Sequence, residues 1–270
     1  MKKAYGAVAP QSTNGTLERL LAIRCERGAG FWVLIDPDRN TPEQAGERAV
    51  RAQEAGADAI LVGSSLLLTD HFDPTVVAIK NAVSIPVVIF PGNSQQISGE
   101  ADAILFLSLV SSRNPELLIG QHVKAAPSIK HLGLEAIPTG YLLVESGTLT
   151  SIEFMSNSKP LPRTKPDIAM AHALAAEYLG MRLVYLDAGS GGRQPVPTDM
   201  IEACANYVSV PLIVGGGIHT GELAERAVRA GASFVVVGNA LERKAGKDLL
   251  AELADAVHSA GAERRSSASE

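Results

Sequence analysis

A carboxylate, an aromatic hydroxyl and a stretch of bare backbone stand together at Tyr185-Leu-Asp-Ala-Gly-Ser-Gly191. The segment begins as a β-strand and ends in Gly189, Ser190 and Gly191, which carry almost no side chain. Exposed backbone N–H groups beside a placed acid suit a site that holds a phosphate and also removes a proton. Asp187 sits where the strand gives way to the loop. It is either a general base close to a substrate hydroxyl or the carboxylate of a turn. Tyr185, two residues earlier, faces the same side of the strand, so both side chains can line one mouth. Two more glycine loops follow apolar runs, Gly215-Gly-Gly-Ile218 and Gly238-Asn239. Such loops are phosphate cradles or plain tight turns, and two on adjacent strands favour phosphate.

Oxygen donors appear earlier in the chain. Asp36-Pro-Asp38 closes the first apolar run and Gly63-Ser-Ser65 the second. Asp36 beside Ser65 is a candidate for Mg²⁺, which takes oxygen ligands and keeps water and phosphate oxygens as the rest. The alternative is that Asp36 and Asp38 cap the Pro37 turn. Tyr141 either reaches a ligand or is a core tyrosine. Arg193 is a cation for phosphate or a solvated side chain. His172 has no partner at triad-like spacing, the other histidines form no i, i+4 metal pair, and Ser64 and Ser65 lack an activating base.

The elements that must position these residues alternate. Apolar runs at Phe31–Ile35, Ala59–Val62, Ile85–Phe90, Ala103–Leu107, Glu135–Glu145, Leu183–Leu186, Val210–Val214 and Phe234–Val237 read as eight strands. Helical patterns lie between them, one opened by Thr41-Pro-Glu as cap and first turn. Continuous apolar strands alternating with helices imply a parallel sheet buried on both faces, and eight imply a closed TIM (β/α)₈ barrel. Ala55–Leu66 and Ala230–Leu241 are identical at half of their aligned positions, an echo of one β/α unit. The connection Pro91–Glu100 is too short and polar for a full helix, so the barrel is expected to be modified there, with a loop and a side opening after strand three. The polar, proline-containing stretch 146–166 is a candidate lid. Residues 1–260 are expected to form one barrel domain and 261–270 a frayed polar tail. An open doubly wound sheet lacks its early glycine-rich turn here.

The chain has 270 residues, 46% of them hydrophobic but only 4% aromatic, with a net charge of −5. Small aliphatic residues suit strand–helix layers, and no global basic field is present for nucleic acid. Two cysteines make neither a disulfide framework nor a zinc site and fit a reduced cytoplasmic compartment. No signal peptide is evident, and no apolar run approaches the roughly 20 residues of a membrane helix.

Seven segments in order resemble the geranylgeranylglyceryl phosphate synthase family, a TIM-barrel group of prenyltransferases: Leu34-Ile-Asp-Pro-Asp-Arg39, Gly63-Ser-Ser65, Pro138-Thr-Gly-Tyr141, Lys165-Pro-Asp-Ile-Ala169, Tyr185–Gly191, Val214-Gly-Gly-Gly-Ile218 and Val237-Gly-Asn239. The resemblance spans about residues 30 to 242. It implies alkylation of the 3-hydroxyl of sn-glycerol 1-phosphate by geranylgeranyl diphosphate, with diphosphate leaving, in ether-lipid biosynthesis. It assigns Asp36 and Ser65 to Mg²⁺. It assigns Tyr185, Leu186, Asp187, Ala188, Gly189, Ser190 and Gly191, then Gly215, Gly216 and Gly217, then Gly238 and Asn239 to the glycerol phosphate. It also implies a homodimer or hexamer, and a prenyl tail lying in an apolar groove toward the opening after strand three. The family usually has Glu where this chain has Asp187, a carboxylate shorter by one C–C bond. Competing readings are a sugar-phosphate isomerase or aldolase barrel, an FMN-dependent barrel oxidoreductase, and a non-catalytic phosphate- or lipid-binding barrel. No strand ends in Lys, which counts against a Schiff-base aldolase.

Overall fold

The computed structural model describes residues 15–238 and 246–267. Its strands are β1 (Gly30–Ile35), β2 (Ala59–Val62), β3 (Val87–Ile89), β4 (Ala103–Ser108), β5 (Glu135–Leu143), β6 (Leu183–Asp187), β7 (Leu212–Gly215) and β8 (Phe234–Val237). Each pairs in parallel with the next. β8 then pairs with β1, Gly30 opposite Phe234 and Val33 opposite Val237, which closes the barrel. The echoing segments occupy equivalent positions, one containing β2 and the other β8.

Side-chain alternation sorts the core into two layers. Phe31, Val33 and Ile35 point outward and pack with Ala45, Ala49 and Ala52 of α2 (Pro42–Glu54). Trp32 points inward and stacks on Phe234, ring centroids 4.3 Å apart. Leu61, Leu105, Ile137, Leu183 and Ile213 complete the interior, and Leu17 and Leu20 of α1 (Thr16–Arg27) join it. Thr41 caps α2 as expected, its hydroxyl accepting from Gln44 N while the Gln44 side chain accepts from Thr41 N, an arrangement typically worth about 1 kcal/mol. Helix α3 (Phe72–Ala82) follows β2, and no helix lies between β3 and β4. The expected loop therefore stands in place of the helix.

After β4 the chain makes a π turn at Glu116–Gly120 and continues as α4 (Gln121–Leu132). The stretch 146–166 contains a short helix, α5 (Ser151–Ser156). It is stitched down rather than loose: Leu161 N donates to Leu143 O at 2.8 Å, and Arg163 donates to Glu145 O and Pro195 O at 2.9 and 2.8 Å. The stretch expected as a candidate lid thus borders the mouth through Ile152 and is anchored at Leu161 and Arg163. Helices α6 (Pro166–Tyr178), α7 (Thr198–Ala205) and α8 (Gly221–Arg229) complete the outer layer with α9 (Gly246–Ser267).

The end of the chain differs from expectation. Residues 261–267 are not frayed but belong to α9. Gly261 packs directly on Gly28, where any Cβ would overlap the Gly261 carbonyl. Arg264 donates to Val228 O, Ala232 O and Gly28 O at 2.9, 2.8 and 2.6 Å. Polar composition here marks a residue that caps barrel carbonyls. Both cysteines are free thiols, and burial pushes the Cys204 thiol up to about 12.

Candidate active site

Asp187 ends β6 on the inward face, 6% exposed. Its Oδ1 accepts from Gly189 N at 2.8 Å, and its Oδ2 accepts from the Tyr141 hydroxyl. Burial raises its pKa, outweighing the two hydrogen bonds, which pull it down. The same burial holds Tyr141 and Tyr185 protonated well beyond the ordinary tyrosine range, and the negative charge of Asp187 adds to the effect. Tyr141 is therefore a fixed donor to the carboxylate. Phe90, Tyr141 and Tyr185 form an aromatic floor beneath it: Phe90 stacks on Tyr185 at 5.3 Å and Tyr141 meets Tyr185 edge-on at 5.4 Å.

The loop after β7 touches this carboxylate closely. Gly216 has φ +78°, and a Cβ there would lie 2.6 Å from Asp187 Oδ1 and 2.7 Å from Gly189 N. Only glycine allows the β6 and β7 loops to nest in this way. The nest is the structural reason for the sequence pattern, and it turns backbone toward the mouth.

Across the mouth, side chains take over from backbone. Asp36 follows β1, half-buried, with Oδ1 accepting from Asp38 N at 3.0 Å and Oδ2 3.5 Å from Arg39 Nε. Burial raises its pKa, against the pull of the Asp38 backbone, Arg39 and the Ser64 hydroxyl. Asp38 is engaged differently. It accepts from Leu68 N, Thr69 N and Thr69 Oγ1 at 2.8, 3.0 and 2.7 Å, tying down the loop after β2. Asp36 caps the Pro37 turn through Oδ1, as the turn reading has it, and also lines the cavity, whereas Asp38 holds the loop after β2 instead of the turn.

Three residues here carried no motif. Gln96 is fully buried. Its Oε1 accepts from Ser64 N and Gly92 N at 3.1 and 3.2 Å, and its Nε2 donates to Ser64 O at 2.7 Å. The loop that replaces the missing helix thereby clamps Gly63-Ser64-Ser65. Asn40 donates from Nδ2 to Asp36 O at 2.8 Å, yet its buried Oδ1 has no hydrogen-bond partner. Arg48, on α2, lines the same cavity. The close approach of the β2 and β3 loops was signalled only by the paired glycines Gly63 and Gly92, each of which would clash through a Cβ with the other loop's backbone.

One cavity of about 330 Å³ joins these groups. Asp36, Ser64, Ser65, Tyr141, Tyr185, Asp187, Ser190, Gly191, Gly216, Gly217 and Gly238 line it. From the mouth it runs past Phe106 to Ile97, Ile104 and Ile129, between the 91–100 loop and α4. His122 lies in this arm, edge-on to Phe106 at 4.6 Å, its pKa lowered by burial against a weaker pull from the Leu107 backbone. Some expected site residues are placed otherwise. Leu186 and Ala188 turn their side chains into the outer core, so they offer backbone alone, and the Ala188 N–H is spent on Gly215 O at 3.0 Å. Gly189 and Gly215 pack against Thr150 and Tyr185 and shape the loops rather than line the cavity. Arg193 is exposed and away from it, and His172 is held by Ile168 O at 2.7 Å. Asn239 lies outside the described residues.

A closed parallel barrel with backbone nests on its last strands and a buried carboxylate at its C-terminal mouth is a TIM barrel of the phosphate-handling class. Residues 22–257 match the PcrB family, and the chain belongs to it. A geranylgeranylglyceryl phosphate synthase of Chitinophaga pinensis is 50% identical over 230 residues, 85% of this chain and 90% of the relative. The synthase of Thermococcus kodakarensis is 48% identical over the same extent. The crystal structure of (S)-3-O-geranylgeranylglyceryl phosphate synthase from Thermoplasma acidophilum, in complex with its substrate sn-glycerol-1-phosphate, superposes with a TM-score of 0.86 at 35% identity. That match covers 91% of this chain and 99% of the other. Thiamine phosphate pyrophosphorylase from Pyrococcus furiosus, 14% identical with a TM-score of 0.57, shares the fold alone. The family resemblance expected from the seven segments is the one found.

Proposed function

We propose that this chain is a prenyltransferase that joins sn-glycerol 1-phosphate to geranylgeranyl diphosphate through an ether bond, releasing diphosphate. The observation that carries this reading is one cavity holding both a polar mouth, with Asp187 beside backbone nests, and a long apolar arm leaving through the wall. A polar head and an isoprenoid tail fit those two parts. Ser190 and Gly191, Gly216 and Gly217, and Gly238, which line the cavity, bind the glycerol phosphate through backbone N–H groups, with Gly189 and Gly215 shaping their loops. Asp187, its pKa raised by burial, takes the proton of the 3-hydroxyl or orients that hydroxyl, with Tyr141 fixing its rotamer. The 91–100 loop and α4 exclude water from the allylic carbon.

The residues present fit Mg²⁺. Asp36, Ser65 and the unpartnered Oδ1 of Asn40 are hard oxygen donors around one cavity, and a cation there offsets the burial of the Asp36 charge. No three His, Cys, Asp or Glu side chains form a metal cage among the described residues, so such an ion rests on one carboxylate, neutral oxygens and ligand oxygens. Held by Asp36, Ser65 and Asn40, Mg²⁺ would supply positive charge to offset the negative charge of the leaving diphosphate.

No helix among the described residues is long and apolar enough to cross a membrane. We extend the reading to a homo-oligomer working in the cytoplasm, supported by two free thiols and by exposed Tyr178 and Leu179 at the end of α6; light scattering measures the oligomer. The main test supplies sn-glycerol 1-phosphate with geranylgeranyl diphosphate and Mg²⁺, with farnesyl and longer donors in parallel. A prenyl ether that disappears with EDTA is the expected result. No product with any donor, from folded protein that binds glycerol phosphate, overturns it.

A further inference from the structure

Among the described residues lining the cavity, Arg48 is the only lysine or arginine. Its side chain is half-buried on α2 and forms no ion pair. The nearby acids are engaged elsewhere: Glu47 faces Arg51 at 3.9 Å, and Asp36 faces Arg39 at 3.5 Å. A half-buried guanidinium on a cavity wall without an internal counter-ion suits an anionic ligand. Asn40, with its unpartnered oxygen, lines the same cavity.

The proposed reaction brings two phosphoanions to this mouth. The monophosphate already has the backbone nests of β6 to β8. The diphosphate is the more highly charged, and one divalent cation leaves part of that charge unmatched. On the β1 side Asp36 adds a further negative charge, so a cation is needed there. The planar fork of Arg suits two oxygens of one phosphoryl group. We infer that Arg48 binds the diphosphate of the prenyl donor and holds it as it departs. The inference rests on the proposed reaction and adds no covalent step to it.

Calorimetric titration of inorganic pyrophosphate, with and without Mg²⁺, into the wild-type protein and the Arg48→Gln and Arg48→Lys variants tests this. sn-Glycerol 1-phosphate and inorganic phosphate are titrated in parallel. Arg48→Gln is expected to weaken pyrophosphate binding about tenfold or more, with sn-glycerol 1-phosphate changed by less than about twofold and Arg48→Lys in between. Retained glycerol phosphate binding also shows that the variants are folded. Equal pyrophosphate affinity in wild type and Arg48→Gln overturns the inference, as does an equal loss for all three anions. If wild-type protein binds neither pyrophosphate nor glycerol phosphate, the reaction itself is misassigned. If the ether forms normally and only the Arg48 effect is missing, the reaction stands and this assignment alone falls.

Discussion

The two sides of the barrel mouth are built in opposite ways. On the β6–β8 side, glycines with positive φ nest loop against loop, and the cavity is lined largely by backbone. On the β1–β3 side, the loops are held by side chains, Gln96 and Asp38 above all, and the cavity is lined by side-chain oxygens and Arg48. A backbone nest is rigid and tolerates no added atom. A side-chain clamp can be loosened by degrees. Damage to the first side should therefore be abrupt, and damage to the second graded.

Gly216→Ala puts the largest strain on this contrast. Its Cβ would enter the space of Asp187 Oδ1 and two backbone nitrogens, at a positive φ that alanine resists. Loss of sn-glycerol 1-phosphate affinity by more than about a hundredfold is expected in a direct binding measurement. A near-normal Kd would end the idea that the nest sets the site. Asp36→Asn comes next: Mg²⁺-dependent turnover falls about a hundredfold while glycerol phosphate binding holds. Parallel loss of both would show that the two sides are not separable.

Asp187→Asn separates chemistry from stability. Turnover drops by about a hundredfold, the lower end of what general bases contribute. Stability moves the other way. Because burial raises the Asp187 pKa, the folded protein favours the protonated acid, and stability is lost as pH rises from the unfolded-state pKa to the folded one. The variant should melt higher than wild type at neutral pH, and the two curves should converge as pH falls through the carboxylate range. Wild-type turnover should also decline on acidification at a pH above that of an ordinary aspartate. Gln96→Leu has the mildest expected effect on catalysis, about tenfold or less in kcat with glycerol phosphate Kd unchanged. Stripping partners from the half-buried Ser64 and Gly92 backbone still costs about 2 kcal/mol of stability by denaturant unfolding.

The β6–β8 side was the legible one. A nest requires glycine at fixed offsets, so its chemistry is written in residue types, and Ala59–Val62 and Phe234–Val237 were bounded correctly because strands buried on both faces read as unbroken apolar runs. The clamp side was hidden. Gln96 sits in Asn93-Ser-Gln-Gln96, which reads as any polar loop, and Arg48 reads as a helix-surface residue until the fold turns it to a cavity. Leu186 and Ala188 came with a contiguous motif taken whole, and strand alternation sends their side chains to the outer core, leaving only their backbone toward the loop. The end of α9 was misread because Arg264 and Gly261 act through tertiary partners that no local pattern reveals.

The pairing of β8 with β1 has a consequence for how the molecule comes into being. Gly30 and Phe234 lie about two hundred residues apart in sequence yet are ladder neighbours. Asp36 and Gly238, which line the same cavity, lie just beyond these two strands. Closing so long a loop is slow, and nothing rewards it until the last strand has been made. The mouth that Asp36 and Gly238 share is therefore expected to be complete only late, when the ring of strands is sealed.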